Sequence, residues 1–269
     1  MRYKSMNSSL RNRLADLLLN SFNDPEKHVA IKWLSAFCRM ATTRDRPEVS
    51  LEELLQTKGL TLSQIDGAVR RTLEQLIGRG RLLQLRRADT PDVISDKIPR
   101  RVETTCWVVE PQADSRAALP AVCERTQAYM RLMARRRKLK IAEGLRDPLR
   151  RAMAEAALCF NAGLFFEAHE HLEHFWAIQP KGPTKRFLQG IIQISVGFHH
   201  ACRGKYDGAI NQLGKGLEKT LGTNGEFLGL DCDTFLPRVS SLRAAIMRRG
   251  RENMYPLSLP EIPRMPIQS

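Results

Sequence analysis

The sequence predicts a mainly α protein: an N-terminal winged helix, meaning a helix-turn-helix with a small β wing, followed by an all-α helical bundle. Three observations predict it. Between residues 28 and 80, apolar side chains recur at helical spacing and are punctuated by two capping motifs. Two short segments, RLLQLRR (81–87) and TTCWVVE (104–110), carry strand chemistry. After residue 112 only helical periodicity remains. The expected layout is a winged-helix domain over 1–112, a basic helical linker over 113–148, a helical bundle over 149–250 and a Pro-rich extended tail over 251–269.

In HVAIKWLSAFCRMA (28–41), Val29, Ile31, Trp33, Leu34, Phe37 and Cys38 form a helical stripe. Ser50 with Glu53 makes a capping box for a short helix that Gly59 ends. Thr61 with Gln64 makes a second box. It is expected to open a longer helix with Ile65, Val69, Leu73 and Leu76 inside and Gly78 and Gly80 at its end. Its exposed face then presents Ser63, Gln64, Asp66, Arg70 and Arg71, and the wing adds Arg86, Arg87, Arg100 and Arg101. In a winged helix this second helix enters the major groove and the wing touches the flanking backbone. Asp66 and Glu74 oppose the arginines, so a protein-contact role for the same domain stays open.

Charge points the same way. The chain has a formal net charge of +14, and between Arg125 and Arg151 ten basic groups face only two acidic ones. Arg135, Arg136, Arg137, Lys138 and Lys140 crowd one stretch among Leu132, Met133, Leu139 and Ile141. Such a run is either a solvated helix face or a phosphate-binding stripe. Nucleic acid is therefore the expected partner. A membrane is not, because no window has the roughly 18 uninterrupted apolar residues of a span and the basic run lacks aromatic anchors. The basic, Ser-containing start has no apolar signal core, which favours the cytoplasm and leaves organelle targeting open. The six cysteines form no CxxC pair and are expected as buried reduced thiols.

From Leu149 on, Leu149, Met153, Ala157 and Phe160 share one face. FFEAHEHLEHFWAI (165–178) is the next helix, broken by Pro180, Gly182 and Pro183. Thr184 is the expected cap of KRFLQGIIQISVGFHHACRG. YDGAINQLGKGLEKTLG follows with Ile210, Leu213, Leu217 and Leu221, then LPRVSSLRAAIMRRG with Val239, Leu242 and Ile246. The Pro-rich end should lie extended on the bundle or run free.

FNAGLFFEAHEHLEHFW and RFLQGIIQISVGFHHACRGKYDGAINQLGKGLEKTL together resemble the helical family catalogued as domain of unknown function 309, over about residues 150–222. The resemblance rests on Phe166, Glu167, Ala168, His169, Glu170, Glu173, Trp176, Gln189, Gly190, Gln193, His200, Gly208 and Ala209. It implies an all-helical bundle and no agreed activity. His171 and His174 lie outside the pattern.

Five of the six histidines fall between His169 and His200. His169, Glu173 and Trp176 sit at i, i+4 and i+7 on one helix, and Gln189, Gln193 and His200 share a stripe on the next. Closing the hairpin sets Glu173 level with Gln189 and His169 level with Gln193. The expectation is that these pairs hydrogen-bond across a buried interface, since an unpaired buried amide costs about 1–3 kcal/mol. Three readings follow: a polar network fixing register, a pocket in which His169, Glu170 and Glu173 work as acid, base or ligand with Arg186 as an anion clamp, or a metal site. HEHLE is not the HExxH zinc helix, and no Glu-x-x-His repeat stands on a partner helix, so the sequence alone assigns no metal and names no cofactor. The function expected is a nucleic-acid-associated protein whose bundle senses a small ligand or forms a homo-oligomer. A hydrolase using His169, Glu170 and Glu173, or a non-catalytic protein-interaction module, are the alternatives.

Overall fold

The computed structural model describes residues 6–43, 47–88, 93–95, 97–98, 107–135 and 145–267. It is mainly helical, with eleven α-helices among the described residues and a small sheet. The chain divides into two compact units, one from Lys4 to Met130 and one from Arg131 onward. The first unit thus runs past residue 112, where the change in composition sets the expected boundary.

Helix α1 (Ser8–Asn20) opens the first unit, capped by Asn7, which accepts from Leu10 N, and it buries Leu10, Leu14, Leu17 and Leu18. In α2 (Pro25–Ala41), Asp24 caps the start, Pro25 sits in the first turn, and Trp33, Leu34 and Phe37 are buried. β1 (Val49–Ser50) leads into α3 (Leu51–Gln56), whose Ser50–Glu53 capping box has both its hydrogen bonds. The Thr61–Gln64 motif acts differently from expectation. Gln64 Oε1 accepts from Thr61 N at 2.8 Å, but the motif closes a 3-10 turn (Leu62–Gln64) that ends before a helix begins. Ile65 leaves helical geometry, and Asp66 restarts the chain by accepting from Val69 N at 2.8 Å. The local Asp cap outcompetes a continuous helix, so α4 (Gly67–Glu74) is short and Ser63 and Gln64 lie outside it. Trp33 Nε1 donates to Thr72 Oγ1 at 3.1 Å, tying α2 to α4.

β2 (Leu83–Arg87), β3 (Ile94–Ser95) and β4 (Trp107–Pro111) complete an antiparallel sheet in the order β1-β4-β2-β3, with Leu85 opposite Val109 and Val49 opposite Val109 on the other side. After the short α5 (Ala113–Arg116) comes α6 (Leu119–Ala134). Cys38 of α2 and Cys123 of α6, with Cα atoms 5.3 Å apart, are joined as a disulfide. This corrects the expectation of six reduced thiols: residues 85 positions apart carry no local motif, and only the packing of two helices makes them neighbours. Cys159, Cys202 and Cys232 are buried thiols outside any disulfide, and burial pushes the Cys202 thiol up to about 12 and the Cys232 thiol up to about 11. Cys106 lies outside the described residues.

In the second unit, α7 (Pro148–Asn161), α8 (Phe165–Ile178), α9 (Pro183–Ala201), α10 (Tyr206–Lys219) and α11 (Cys232–Arg249) pack each against the next in chain order, except that a ribbon separates α10 from α11 in sequence. α9 begins at Pro183 with Gly182 as its cap, so Thr184 lies inside the first turn instead of capping it. The ribbon corrects the expectation of no strand here: β5 (Glu226–Phe227) pairs with β6 (Leu230–Asp231). Its two-residue turn, Leu228–Gly229, has positive φ at both positions, the geometry that fits a tight hairpin. A leucine there gives no turn signal.

The C-terminal tail lies on the bundle. Leu257 N donates to Ala201 O at 3.1 Å, Asn161 and Met265 exchange two hydrogen bonds of 2.9 Å, and Asp231 N donates to Pro266 O at 3.0 Å. Leu257, Ile262 and Met265 are buried there. Ser258 N donates to Glu261, and this bond, opposed only in part by burial, holds the Glu261 carboxyl below its ordinary value.

The tightest packing joins α9 to α10 through glycines. A methyl group built on Gly190 would lie 2.6 Å from Thr220 Cγ2 and 2.9 Å from Gly216 O. One on Gly216 would lie 2.7 Å from both Gly190 O and Ile194 Cγ1, and 3.0 Å from Ile194 N. Gly197 meets Leu213 in the same way, and Gly208 meets the His200 ring, with Cγ at 2.6 Å. Helix propensity alone would make Gly→Ala favourable by about 1 kcal/mol, but overpacking against fixed backbone costs about 1–3 kcal/mol. Gly216→Ala should therefore lower the melting temperature of the protein, whereas Gly67→Ala, whose nearest neighbour is the end of the exposed Arg71 side chain at 3.4 Å, should leave it level or raise it. Differential scanning calorimetry of both variants checks the sign.

Candidate functional site

Helix α8 is anchored at its N-terminal end by an aromatic cluster. Phe165 meets Phe160 edge-on with ring centroids 4.8 Å apart, and Phe160 also meets Phe198 at 5.5 Å and Phe235 at 5.8 Å. Phe165, Phe166, Glu167, Ala168 and Leu172 are buried. With those positions inward, the helical period carries His169, Glu170 and Glu173 toward the rim. Exposure rises along the trio: the His169 side chain is 12% exposed, Glu170 33% and Glu173 52%.

The His169 ring is held on two sides. Its Nδ1 lies 2.7 Å from the Phe166 carbonyl oxygen, one turn back, and its centroid packs 4.9 Å from the Phe166 ring. Its Nε2 lies 3.2 Å from Glu170 Oε1 and 3.9 Å from Glu173 Oε2. The three ligand-type atoms all fall within 4.8 Å of one another, making this a group of side chains able to hold a metal ion.

The expected pairing across the α8–α9 interface is not formed. Glu173 is exposed, and His169 bonds within its own helix. Gln193 Oε1 is buried with no hydrogen-bond partner among the described residues. The physical reason is local: a carbonyl three residues earlier is closer to an imidazole than an amide on the next helix, and its second lone pair is available. Gln189 is half-buried on α9. Trp176 is half-buried, with the Lys185 ammonium 5.0 Å over its ring. Lys185 Nζ also donates to Gln179 O at 2.8 Å and Ala177 O at 3.3 Å, closing the end of α8. Arg186, expected as an anion clamp, is exposed, and its Nη2 donates to Glu218 O at 3.1 Å near the end of α10. His200 packs on Gly208.

One pair escaped the sequence reading. His171 Nε2 lies 2.8 Å from Glu155 Oε2 of α7, with side chains 11% and 4% exposed. The signal was present: Glu155 shares the stripe of Ala152 and Cys159, both buried, so its carboxylate had to meet a partner inside. His171 Nε2 is thereby engaged by Glu155, while the neighbouring His174 is exposed. The second Glu155 oxygen is buried with no hydrogen-bond partner among the described residues.

The basic candidates of the first unit are largely engaged. Arg70 Nη1 donates to Ile98 O. Arg71 pairs with Glu26 at 2.6 Å, and this bond raises its guanidinium above its ordinary value. Arg86, 15% exposed, bridges Glu48 at 3.0 Å and Glu110 at 3.4 Å. Buried Glu110 also accepts from Gln84 Nε2 at 2.7 Å and Arg116 Nη2 at 3.1 Å, so Arg86 helps neutralise a carboxylate inside the sheet. Arg87 is half-buried opposite Trp107. Arg135 is exposed. Arg100, Arg101, Arg136, Arg137, Lys138 and Lys140 lie outside the described residues.

Residues 153–212 match the family model described as Domain of unknown function (DUF309). The match runs from Met153 in α7 through α8 and α9 into α10. No curated protein matches the chain.

Removing the imidazole that meets a buried carboxylate leaves that carboxylate without this partner. His171→Ala should cost about 3 kcal/mol of stability in urea unfolding, and His174→Ala at the exposed neighbouring position should stay within about 0.5 kcal/mol of the parent.

Proposed function

We propose that the protein is nucleic-acid-associated, with a winged-helix unit at its N-terminal side and a helical bundle that serves as a ligand-sensing module. The observation that carries the reading is the order of elements: α2, β1, α3, α4, β2 and β4, with β4 lying between β1 and β2 in the sheet. That is the order of helices and strands in a winged helix, in which α4 would face the major groove.

The engaged arginines refine what kind of contact this would be. Arg70 and Arg71 are held by Ile98 O and Glu26, and Arg86 is held by two carboxylates. Base-edge readout needs free bidentate guanidinium groups, whereas phosphate attraction needs only charge density. The concentrated charge is the run from Arg125 to Arg151. The proposed interaction is therefore phosphate-directed and weakly sequence-selective.

Fluorescence anisotropy of a labelled duplex, titrated with full-length protein over about 50–200 mM salt, tests it. If about six phosphates are contacted, the log–log slope should be near −5. It should become shallower when Arg135, Arg136, Arg137, Lys138 and Lys140 are all replaced by alanine, and duplexes of unrelated sequence should bind alike. A duplex left unbound at about 50 mM salt, or a slope indifferent to the five substitutions, overturns the proposal.

A further inference from the structure

We infer that His169, Glu170 and Glu173 form a binding site for a divalent transition-metal ion of the zinc or manganese class. The inference is independent of whether the N-terminal unit binds nucleic acid.

It starts from a hydrogen bond. A carbonyl oxygen only accepts, so at 2.7 Å from Phe166 O the His169 Nδ1 carries the proton. In the neutral ring Nε2 is then a bare lone pair. That lone pair lies 3.2 Å from one carboxylate oxygen and 3.9 Å from another. Three acceptors thus converge on one small volume. A divalent cation placed among them would be met by all three.

The geometry suits the metal. Donor atoms on one tetrahedral zinc ion sit about 2.0–2.2 Å from it and so about 3.3–3.6 Å from one another. The three ligand-type atoms here lie within 4.8 Å of one another. Closing the excess needs a shift of about 1 Å, which a change of rotamer at the half-exposed Glu173 supplies. The bond from Nδ1 to a backbone carbonyl is also the support that metal-ligating histidines characteristically have, since it fixes the tautomer and aims the other nitrogen. One imidazole with two carboxylates suits first-row divalent ions better than calcium or magnesium, which prefer all-oxygen shells. Three protein ligands on an outward-facing rim leave coordination positions open to water or to a small anionic ligand.

The test is isothermal titration calorimetry of zinc chloride and of manganese chloride into chelator-stripped full-length protein. Parent, His169→Ala, Glu173→Gln and His174→Ala are compared, with circular dichroism confirming the fold. A single saturable site is expected in the parent. Glu173→Gln, at an exposed position, and His169→Ala should each weaken it more than about tenfold, the loss that even supporting partners of metal ligands cause. His174→Ala should leave it unchanged. No saturable binding in the parent, equal affinity in Glu173→Gln, or loss in His174→Ala would each overturn the site.

Discussion

The second unit depends on how closely α9 can approach α10. At Gly190 and Gly216 the two backbones come so near that neither position has room for a methyl group. At Gly197 the partner is Leu213, and at Gly208 it is the imidazole of His200. Four glycines spread along two facing helices fix their register, because sliding either helix would place a side chain where only a hydrogen fits. The Gln-Gly and Gly-Ala motifs of the matched family segment read on this view as packing features. His200 is among them: its ring fills the space that Gly208 leaves.

With α9 held against α10, α8 packs on α9 and α7 packs on α8. The aromatic cluster of Phe160, Phe165, Phe198 and Phe235 sets the rotation of α8. The polar side chains of that helix then divide by angle. His171 turns toward α7, where its Nε2 meets the buried Glu155 carboxylate at 2.8 Å. His169, Glu170 and Glu173 turn toward the rim, where three acceptors gather around one point. One twelve-residue stretch thus holds two different pieces of chemistry: a buried pair that stabilises and a partly exposed trio that can bind.

Helix positions were legible where capping and apolar period agreed. The Ser50–Glu53 box is read directly from residue types, the helix expected from near Leu149 begins at Pro148, and the expected 165–178 helix has those limits. Legibility failed where two local signals competed, as at Thr61–Gln64, where the Asp66 cap prevailed. It also failed where a contact joins distant residues: Cys38 with Cys123, Arg86 with Glu110, and Glu155 with His171. The residues of the candidate site are expected from the sequence as a polar cluster with partners on the facing helix. The nearer acceptors on the same helix, one turn away, took the imidazole first.

If the glycine seam is the governing constraint, its two closest members act on one gap. A double-mutant cycle of Gly190→Ala and Gly216→Ala, followed by chemical denaturation, measures this directly. Once one methyl group has pushed the helices apart, the second enters space already opened. The double variant should therefore be less destabilised than the two single losses added together, by more than about 0.5 kcal/mol. Strict additivity, or single variants that gain stability as helix propensity alone dictates, would contradict the account.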